Sequence, residues 1–190
     1  MNVELRVYTA QDAKRLAELA NNVKIVNNVR DSFPHPYTLD HAQDWIEFCQ
    51  KHPTLNQAIL SDGQLAGGVG VIPGEDIHRV SFEVGYWLGE PYWGKGIATA
   101  ALRLWIEKIW HHFPEAQRLW AGVFAHNPAS MRVLEKAGFQ PEAVLKNALV
   151  KNNLVEDEHL YALYKNPSPP MMIEQKQEKQ NPEAIYKMPE

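Results

Sequence analysis

Two glycines, Gly94 and Gly96, lie between an apolar strand and a long amphipathic segment, at a spacing suited to binding an anion. Residues 80–88 are rich in β-branched and aromatic side chains, which predicts a strand. From Ile97 onward, apolar residues recur every four positions in two neighbouring rows, which predicts a helix with a broad buried face. The first N–H groups of a helix have no partner within it, and the helix dipole adds positive charge there. We therefore expect a phosphate-binding turn at these glycines.

The glycines alone leave three other interpretations open. Residues 89–96 come within one residue of a nucleotide-binding P-loop, but Gly96 stands where a hydroxyl should hold magnesium. A dinucleotide fingerprint would need a small residue in place of Thr99 and an acid at the end of the strand 118–125, which has none. The third interpretation is a helix start that needs glycine only for a tight turn.

Two motifs in order carry a more specific resemblance. The string Trp93-Gly-Lys-Gly-Ile-Ala98 resembles the acetyl-CoA pyrophosphate loop of the GNAT acetyltransferases, with Trp93 in place of the usual Gln or Arg. Residues 85–99 as a whole are similar to the RimJ/RimL-like branch of that family. Residues 127–139, from Asn-Pro-Ala-Ser to Gly-Phe, match a second motif at the family's spacing. The resemblance covers residues 3–165.

The resemblance implies an α+β fold, the GNAT fold. It has a mixed, mostly antiparallel seven-stranded sheet that splays between strands four and five, with about four helices. Local signals agree with this order of elements: Thr38 and Asn127 are helix N-caps, Gly138 is a helix stop, and Asp62-Gly63 is a hairpin turn. We expect one domain over residues 1–165, followed by a flexible tail over 166–190, where proline, Gln, Glu and Lys replace core-forming residues.

The resemblance also implies the binding residues. Backbone around Tyr86 would donate to the thioester carbonyl, Asn127 would contact the pantetheine arm, and Lys95 and Arg132 could meet phosphates. The expected cofactor-binding residues are Tyr86, Trp87, Leu88, Trp93, Gly94, Lys95, Gly96, Ile97, Ala98, Thr99, Asn127, Ser130 and Arg132. The loop before the second helix, residues 27–37, would cover the acceptor side of the cleft. Its expected substrate-binding residues are Asn28, Arg30, Phe33 and Tyr37.

Two side chains are candidates for the chemistry. An amine arrives protonated at neutral pH, so a base must remove a proton, directly or through water. Glu83 stands where the RimJ/RimL-like branch often carries a Glu assigned to this role. Many GNAT members use a Tyr to protonate the departing thiolate, but Leu134 occupies that position here. Ser130 is the substitute found in the branch, and we expect it to donate a hydrogen bond to the sulfur.

Composition narrows the possible partners. The chain has 190 residues and a net charge of −4, so neither nucleic acid nor a membrane is an expected partner. The single cysteine, Cys49, cannot form an internal disulfide, and the eight histidines form no metal-ligand pair. We expect a cytoplasmic monomer or homodimer without a metal.

These observations lead to one functional prediction. The chain is predicted to be an acetyl-CoA-dependent N-acetyltransferase that moves an acetyl group to a primary amine by direct attack in a ternary complex. The amine would belong to a protein N-terminus or to a small molecule. The alternative is a non-catalytic domain that binds or senses acyl-CoA.

Overall fold

One mixed sheet organises the chain in the computed structural model, which describes residues 1–165. Its seven strands lie in the order β1-β2-β3-β4-β5-β7-β6, and all neighbours are antiparallel except β4 and β5. The strands are β1 (Val3–Arg6), β2 (Asn56–Ser61), β3 (Gln64–Ile72), β4 (Ser81–Leu88), β5 (Arg118–Phe124), β6 (Gln140–Lys151) and β7 (Leu154–Tyr164). The predicted seven-stranded, mostly antiparallel sheet is confirmed.

Helices cover both faces of this sheet. They are α1 (Ala13–Ala20), α2 (Val23–Val26), α3 (Leu39–Lys51), α4 (Ile97–His112) and α5 (Pro128–Ala137). The prediction omitted α2, because four residues are too few to show a helical period. The predicted caps are present: Thr38 accepts from the His41 N–H, and Asn127 accepts from the Ser130 N–H. None of the helices in the described part of the chain has the length and apolar character needed to cross a lipid bilayer.

Two apolar clusters hold these layers together. On one face, Trp105 and Ile109 of α4 are fully buried against residues such as Phe82 and Leu119 of the sheet. On the other face, α1 and α3 pack over β2 and β3. Cys49 of α3 is fully buried there, as its place on an apolar helix face predicted, and burial raises the pKa of its thiol to about 12. Helices therefore pack against both faces of the sheet, whereas nearly all of β6 is exposed.

The sheet opens between β4 and β5, as the prediction required. These parallel strands pair only over Ser81–Glu83 and Arg118–Trp120. Beyond that point β4 continues to Leu88 and β5 to Phe124 with no partner between them. The result is a V-shaped gap in the middle of the sheet, with unpaired strand backbone along its sides.

The last hairpin is longer than expected. We predicted strands over 139–149 and 154–164 with a turn around residues 151–153, whereas β6 runs to Lys151. Asn152 and Asn153 alone make the turn, both with positive φ, as a two-residue hairpin loop requires. Lys151, the last residue of β6, contacts Val29 and Asp31 in the loop after α2.

Candidate active site

The glycine turn before α4 has the geometry expected of an anion site. Gly94 and Gly96 have φ values of 72° and 77°, in the left-handed region that favours glycine. Gly96 is the N-cap of α4, and no side chain of residues 1–165 caps that helix. The indole Nε1 of Trp93 donates to the Leu88 carbonyl oxygen at 2.8 Å, which ties the turn to the end of β4. The first N–H groups of a sixteen-residue helix are thus held open to a ligand.

A cleft of about 380 Å³ extends from this turn along the gap between β4 and α5. It is lined by most of the residues predicted to bind the cofactor: Tyr86, Trp87, Leu88, Trp93, Gly94, Gly96, Ile97, Ala98, Thr99, Asn127, Ser130 and Arg132. Lys95 is the exception. Its Nζ donates to the Pro91 carbonyl oxygen at 2.8 Å, and its side chain does not line the cleft.

Two basic side chains that the sequence analysis did not select line this cleft. Lys136 lies four residues after Arg132 on α5, so the two share a helix face, and that spacing was the available signal. Lys24 lies on the short helix α2, and no sequence pattern predicted that it would line this cleft. Lys24 also forms an ion pair with Glu90, in the segment between β4 and the glycine turn. The cofactor side of the gap is therefore more basic than the sequence analysis anticipated.

Backbone donors face the gap from β4. The Gly89 N–H donates to Ala66 O of β3 at 2.8 Å, so it points away from the gap. Successive N–H groups of a strand point in opposite directions. The N–H groups of Tyr86 and Leu88 therefore point into the gap, where β5 no longer pairs with them. This agrees with the expected role of residues 86–88 as donors to a carbonyl oxygen.

A second cleft, of about 390 Å³, lies on the other side of the gap. It is lined by the four predicted substrate-binding residues, Asn28, Arg30, Phe33 and Tyr37, and by Glu83, the predicted base. The two clefts share Tyr86, Trp87, Asn127 and Ser130 at the opening of the sheet, and also Asn28 and Val29 after α2. A ligand that enters from either side therefore meets the same six residues.

Glu83 lines the second cleft, and it is the last residue of β4 that pairs with β5. The Nη2 of Arg30 donates to Glu83 Oε1 at 2.5 Å. The Arg30 side chain is 61% exposed, whereas that of Glu83 is 20% exposed. Exposed ion pairs of this kind are worth only about 0–1 kcal/mol, so an incoming cation can replace the guanidinium.

Ser130 contacts a residue whose side chain the prediction did not use. The Tyr86 hydroxyl lies 2.8 Å from Ser130 Oγ and donates to the Ser130 carbonyl oxygen at 3.1 Å. Burial raises the pKa of the Tyr86 phenol to about 12, although its hydrogen bond to Ser130 lowers it in part. Tyr86 thus keeps its proton throughout the neutral range. The prediction assigned a role only to its backbone, because the sequence does not show that the first turn of α5 lies against Tyr86 of β4.

The tip of the β6–β7 hairpin holds the acceptor loop over the second cleft. Lys151, whose side chain is 3% exposed, donates from Nζ to the Val29 carbonyl oxygen at 2.8 Å and to Asp31 at 2.6 Å. His126 Nε2 donates to the Asn27 carbonyl oxygen at 3.1 Å, and its Nδ1 lies 2.6 Å from Glu156. The contacts to Asn27, Val29 and Asp31 join residues 99 to 122 positions apart in the chain, and they fix the loop that carries Arg30 and Phe33.

Glycines form much of the floor of the second cleft. Gly70 of β3 pairs with Gly85 of β4, and Gly122 of β5 lies on the same face beyond the gap. Asn56 and Glu158 lie over Gly70 and Gly122, where an added Cβ would come within 2.6 Å and 2.0 Å of their side-chain oxygens. Nothing lies within 4 Å of a Cβ added at Gly85. The floor is therefore open at one place, beside Glu83.

No group of three or more His, Cys, Asp or Glu side chains in residues 1–165 could hold a metal ion.

Comparison with known proteins agrees with this arrangement. The family model for the acetyltransferase (GNAT) domain matches residues 2–140. The chain is 40% identical over 80 residues to the probable N-acetyltransferase YjcK of Bacillus subtilis (strain 168), a match covering 42% of this chain and 44% of YjcK. It is 28% identical over 170 residues to the putative ribosomal N-acetyltransferase YdaF of the same organism, covering 86% of this chain and 92% of YdaF.

A solved structure supports the fold. The ribosomal L7/L12 α-N-protein acetyltransferase RimL, determined in complex with coenzyme A, matches with a TM-score of 0.74. The match covers 86% of this chain and 94% of RimL at 20% sequence identity. Together with the open sheet and the glycine turn before α4, the family-model match shows that the chain belongs to the GNAT acetyltransferase family.

Proposed function

We propose that this enzyme transfers the acetyl group of acetyl-CoA to a primary amine by direct attack within a ternary complex. The observation that carries the proposal is the pair of clefts that meet at the gap between β4 and β5. One cleft begins at a helix N-terminus suited to a pyrophosphate, and the other holds a carboxylate suited to an amine. Two substrates bound in these clefts would bring their reacting groups together, which removes much of the entropic barrier.

The donor would lie along the first cleft. The N–H groups at the start of α4 and the side chains of Lys24, Arg132 and Lys136 favour the phosphates of acetyl-CoA. The pantetheine arm would occupy the gap, in the place of a missing strand partner. The N–H groups of Tyr86 and Leu88 would then donate to the thioester carbonyl as negative charge develops on its oxygen.

Direct attack is favoured over an acetyl-cysteine intermediate. Cys49 is the only cysteine of the chain. It is buried on the inner face of α3, it does not line either cleft, and burial raises the pKa of its thiol to about 12. A thiol must be deprotonated and accessible to act as a nucleophile. The acetyl group therefore passes straight from sulfur to the amine nitrogen.

Glu83 would accept the proton that the amine loses, directly or through a water molecule. The amine attacks the thioester carbonyl carbon, the C–S bond breaks, and the thiolate leaves with the electron pair. Ser130 and Tyr86 lie where that sulfur would emerge, and their linked hydroxyls can donate to it. The Tyr86 phenol, with its raised pKa, keeps a proton available at neutral pH.

The names of the relatives indicate which acceptor class to test first. YdaF is named as a putative ribosomal N-acetyltransferase, and RimL acts on ribosomal L7/L12. We therefore propose a protein N-terminus as the first acceptor to test, with small amines as the second class.

A cytoplasmic location fits such acceptors. The domain of residues 1–165 would perform this reaction, and the expected tail, residues 166–190, lies outside the described residues.

The test of this function measures release of CoA thiol from acetyl-CoA with N-terminal peptides, polyamines and aminoglycosides. Acceptor-dependent release would establish the transferase and identify the acceptor class. Binding of acetyl-CoA without release for any acceptor would contradict the proposal and favour the non-catalytic, acyl-CoA-sensing alternative.

Glu83→Gln is expected to lower kcat by about 10²- to 10⁴-fold, the usual contribution of a general base. Acetyl-CoA affinity should stay within about twofold of the wild type, because Glu83 lines only the acceptor cleft. Steady-state kinetics over a range of pH, with calorimetry for acetyl-CoA, would measure both quantities. Glu107→Gln is the matched control, since it removes a carboxylate from an exposed position of α4. Equal turnover of Glu83→Gln and wild type at every pH would remove Glu83 from the mechanism.

Tyr86→Phe is expected to lower kcat about tenfold, because Ser130 would lose the hydroxyl that hydrogen-bonds it where the sulfur is expected to leave. If the two hydroxyls act as a unit, Ser130→Ala should lose a similar factor and the double variant little more. Acetyl-CoA affinity of each variant, measured by calorimetry, should remain close to that of wild type. Losses that multiply in the double variant would show that Tyr86 does not act through Ser130.

A further inference from the structure

A second carboxylate lies on the acceptor face of the sheet, and the sequence analysis did not select it. Glu158 of β7 reaches across Gly122 of β5, so that a Cβ added to Gly122 would lie 2.0 Å from Glu158 Oε1. The carboxylate therefore rests against the backbone of β5, and only glycine leaves room for it. Glu158 lines the same cleft as Glu83.

The position of Glu158 relative to the gap is fixed by strand register. Pairing of β4 and β5 ends where Glu83 lies beside Trp120. Side chains alternate along a strand, so the next residue of β5 on that face is Gly122. Glu158 therefore covers the β5 side of the acceptor face just beyond the point where the sheet opens, while Glu83 stands at the last pair on the β4 side.

The acceptor cleft is lined by more negative than positive side chains. Its charged lining side chains are Arg30, Glu83 and Glu158. Arg30 is paired with Glu83, and the neighbouring Glu156 is joined to His126. Within residues 1–165 Glu158 has no ion-pair or hydrogen-bond partner. One negative charge is left without a partner in the cleft.

The surroundings of Glu158 suit a cation with an apolar body. Phe124 lies opposite Glu158 in the β5–β7 register and lines the cleft with Phe33 and Trp87. Aromatic faces attract cations. By excluding water, they also strengthen the attraction between a nearby carboxylate and a bound cation. An anion would be repelled, and a neutral amide or alcohol would leave the charge unmatched.

We propose that Glu158 binds the cationic nitrogen of the acceptor, so that the enzyme selects acceptors that arrive as ammonium ions. This inference rests on the proposed function, since it takes the second cleft to be the acceptor side. Glu158 would hold the ammonium group at the opening of the sheet, beside the position from which Glu83 removes a proton. Recognition of the charge and removal of the proton are thereby divided between two strands.

The test uses benzylamine and its neutral analogue benzyl alcohol, bound to the full chain saturated with CoA. Without an acetyl group no transfer occurs, so calorimetry reports binding alone. Wild type is expected to bind benzylamine at least about tenfold more tightly than benzyl alcohol, because only the amine makes a charge-assisted contact. Glu158→Gln should lower the ratio of the two affinities several-fold, whereas Glu107→Gln should leave it unchanged.

Gly122→Ala provides an independent variant that keeps the carboxylate. Its methyl group would occupy the place of Glu158 Oε1 and displace that flexible side chain from β5. The preference for benzylamine should fall as it does in Glu158→Gln. No preference in wild type, or an undiminished preference in Glu158→Gln, would overturn the inference.

The two failures are distinguishable. A protein that acetylates amines but shows no Glu158-dependent preference would keep the proposed function and lose this inference. Conversely, a protein with the preference but without CoA release for any acceptor would lose the proposed function, while its cation site would stand.

Discussion

Gly96→Glu is expected to weaken acetyl-CoA binding by roughly a hundredfold or more while the protein remains folded. A Cβ at Gly96 meets no atom of the protein within 4 Å, so the new side chain has room. It would stand at the N-cap of α4 and bring a negative charge to the place proposed for the pyrophosphate. Calorimetric titration with acetyl-CoA would measure the loss, and circular dichroism would check the fold.

Gly63→Glu is a closely matched control for that substitution. Gly63 has the same φ of 77°, and an added Cβ there also meets nothing within 4 Å. It lies in the β2–β3 turn and lines neither cleft. Both variants therefore carry the same charge and similar backbone strain, but only Gly96→Glu should lose affinity. Equal affinities would mean that the pyrophosphate does not bind at the start of α4.

The sequence predicted the features that depend on neighbouring residues. Thr38 and Asn127 cap helices because their side chains reach N–H groups three residues ahead. Asp62-Gly63 forms a hairpin because both residues can adopt positive φ. The β-branched and aromatic side chains of residues 80–88 likewise predicted β4. Because these features depend only on neighbouring residues, they can be predicted without knowledge of the tertiary structure.

The sheet opening was predicted only through the family resemblance. Nothing in the composition of β4 or β5 shows that their pairing stops after Glu83 and Trp120. The contacts that fix the acceptor loop are equally invisible in the sequence, because Lys151 and Asp31 are 120 residues apart. Contacts of that range depend on how whole elements pack, which no local pattern encodes.

Glu158 shows why part of the site was missed. It belongs to the acidic run Glu156-Asp157-Glu158, which reads as a solvated edge of a strand. In the structure the three side chains separate: Glu156 meets His126, Asp157 meets Lys146, and Glu158 turns over Gly122. Only the β5–β7 register distinguishes them, since it sets which of the three faces the cleft.

The floor of the acceptor cleft offers a sharper test of where the amine binds. Gly85 is exposed in the middle of β4, between Glu83 and Trp87 on the same face. Its φ is not in the left-handed region, so a side chain at this position brings no such backbone strain. The absence of a side chain there serves no turn and no close contact within residues 1–165. We therefore expect that Gly85 leaves room for the acceptor.

Gly85→Leu is expected to lower kcat/KM for the acceptor by about a hundredfold or more, because the side chain would fill the floor beside Glu83 and displace the amine. Gly85→Ala, with a single methyl group, should lose a smaller factor. Acetyl-CoA affinity should change little in either variant, since Gly85 lines only the acceptor cleft. Steady-state kinetics with varied acceptor, together with calorimetry for acetyl-CoA, would separate these effects. If Gly85→Leu kept the acceptor kinetics of wild type, the amine would have to approach the thioester by a route that avoids this cleft, and the roles proposed for Glu83 and Glu158 would both fall with it.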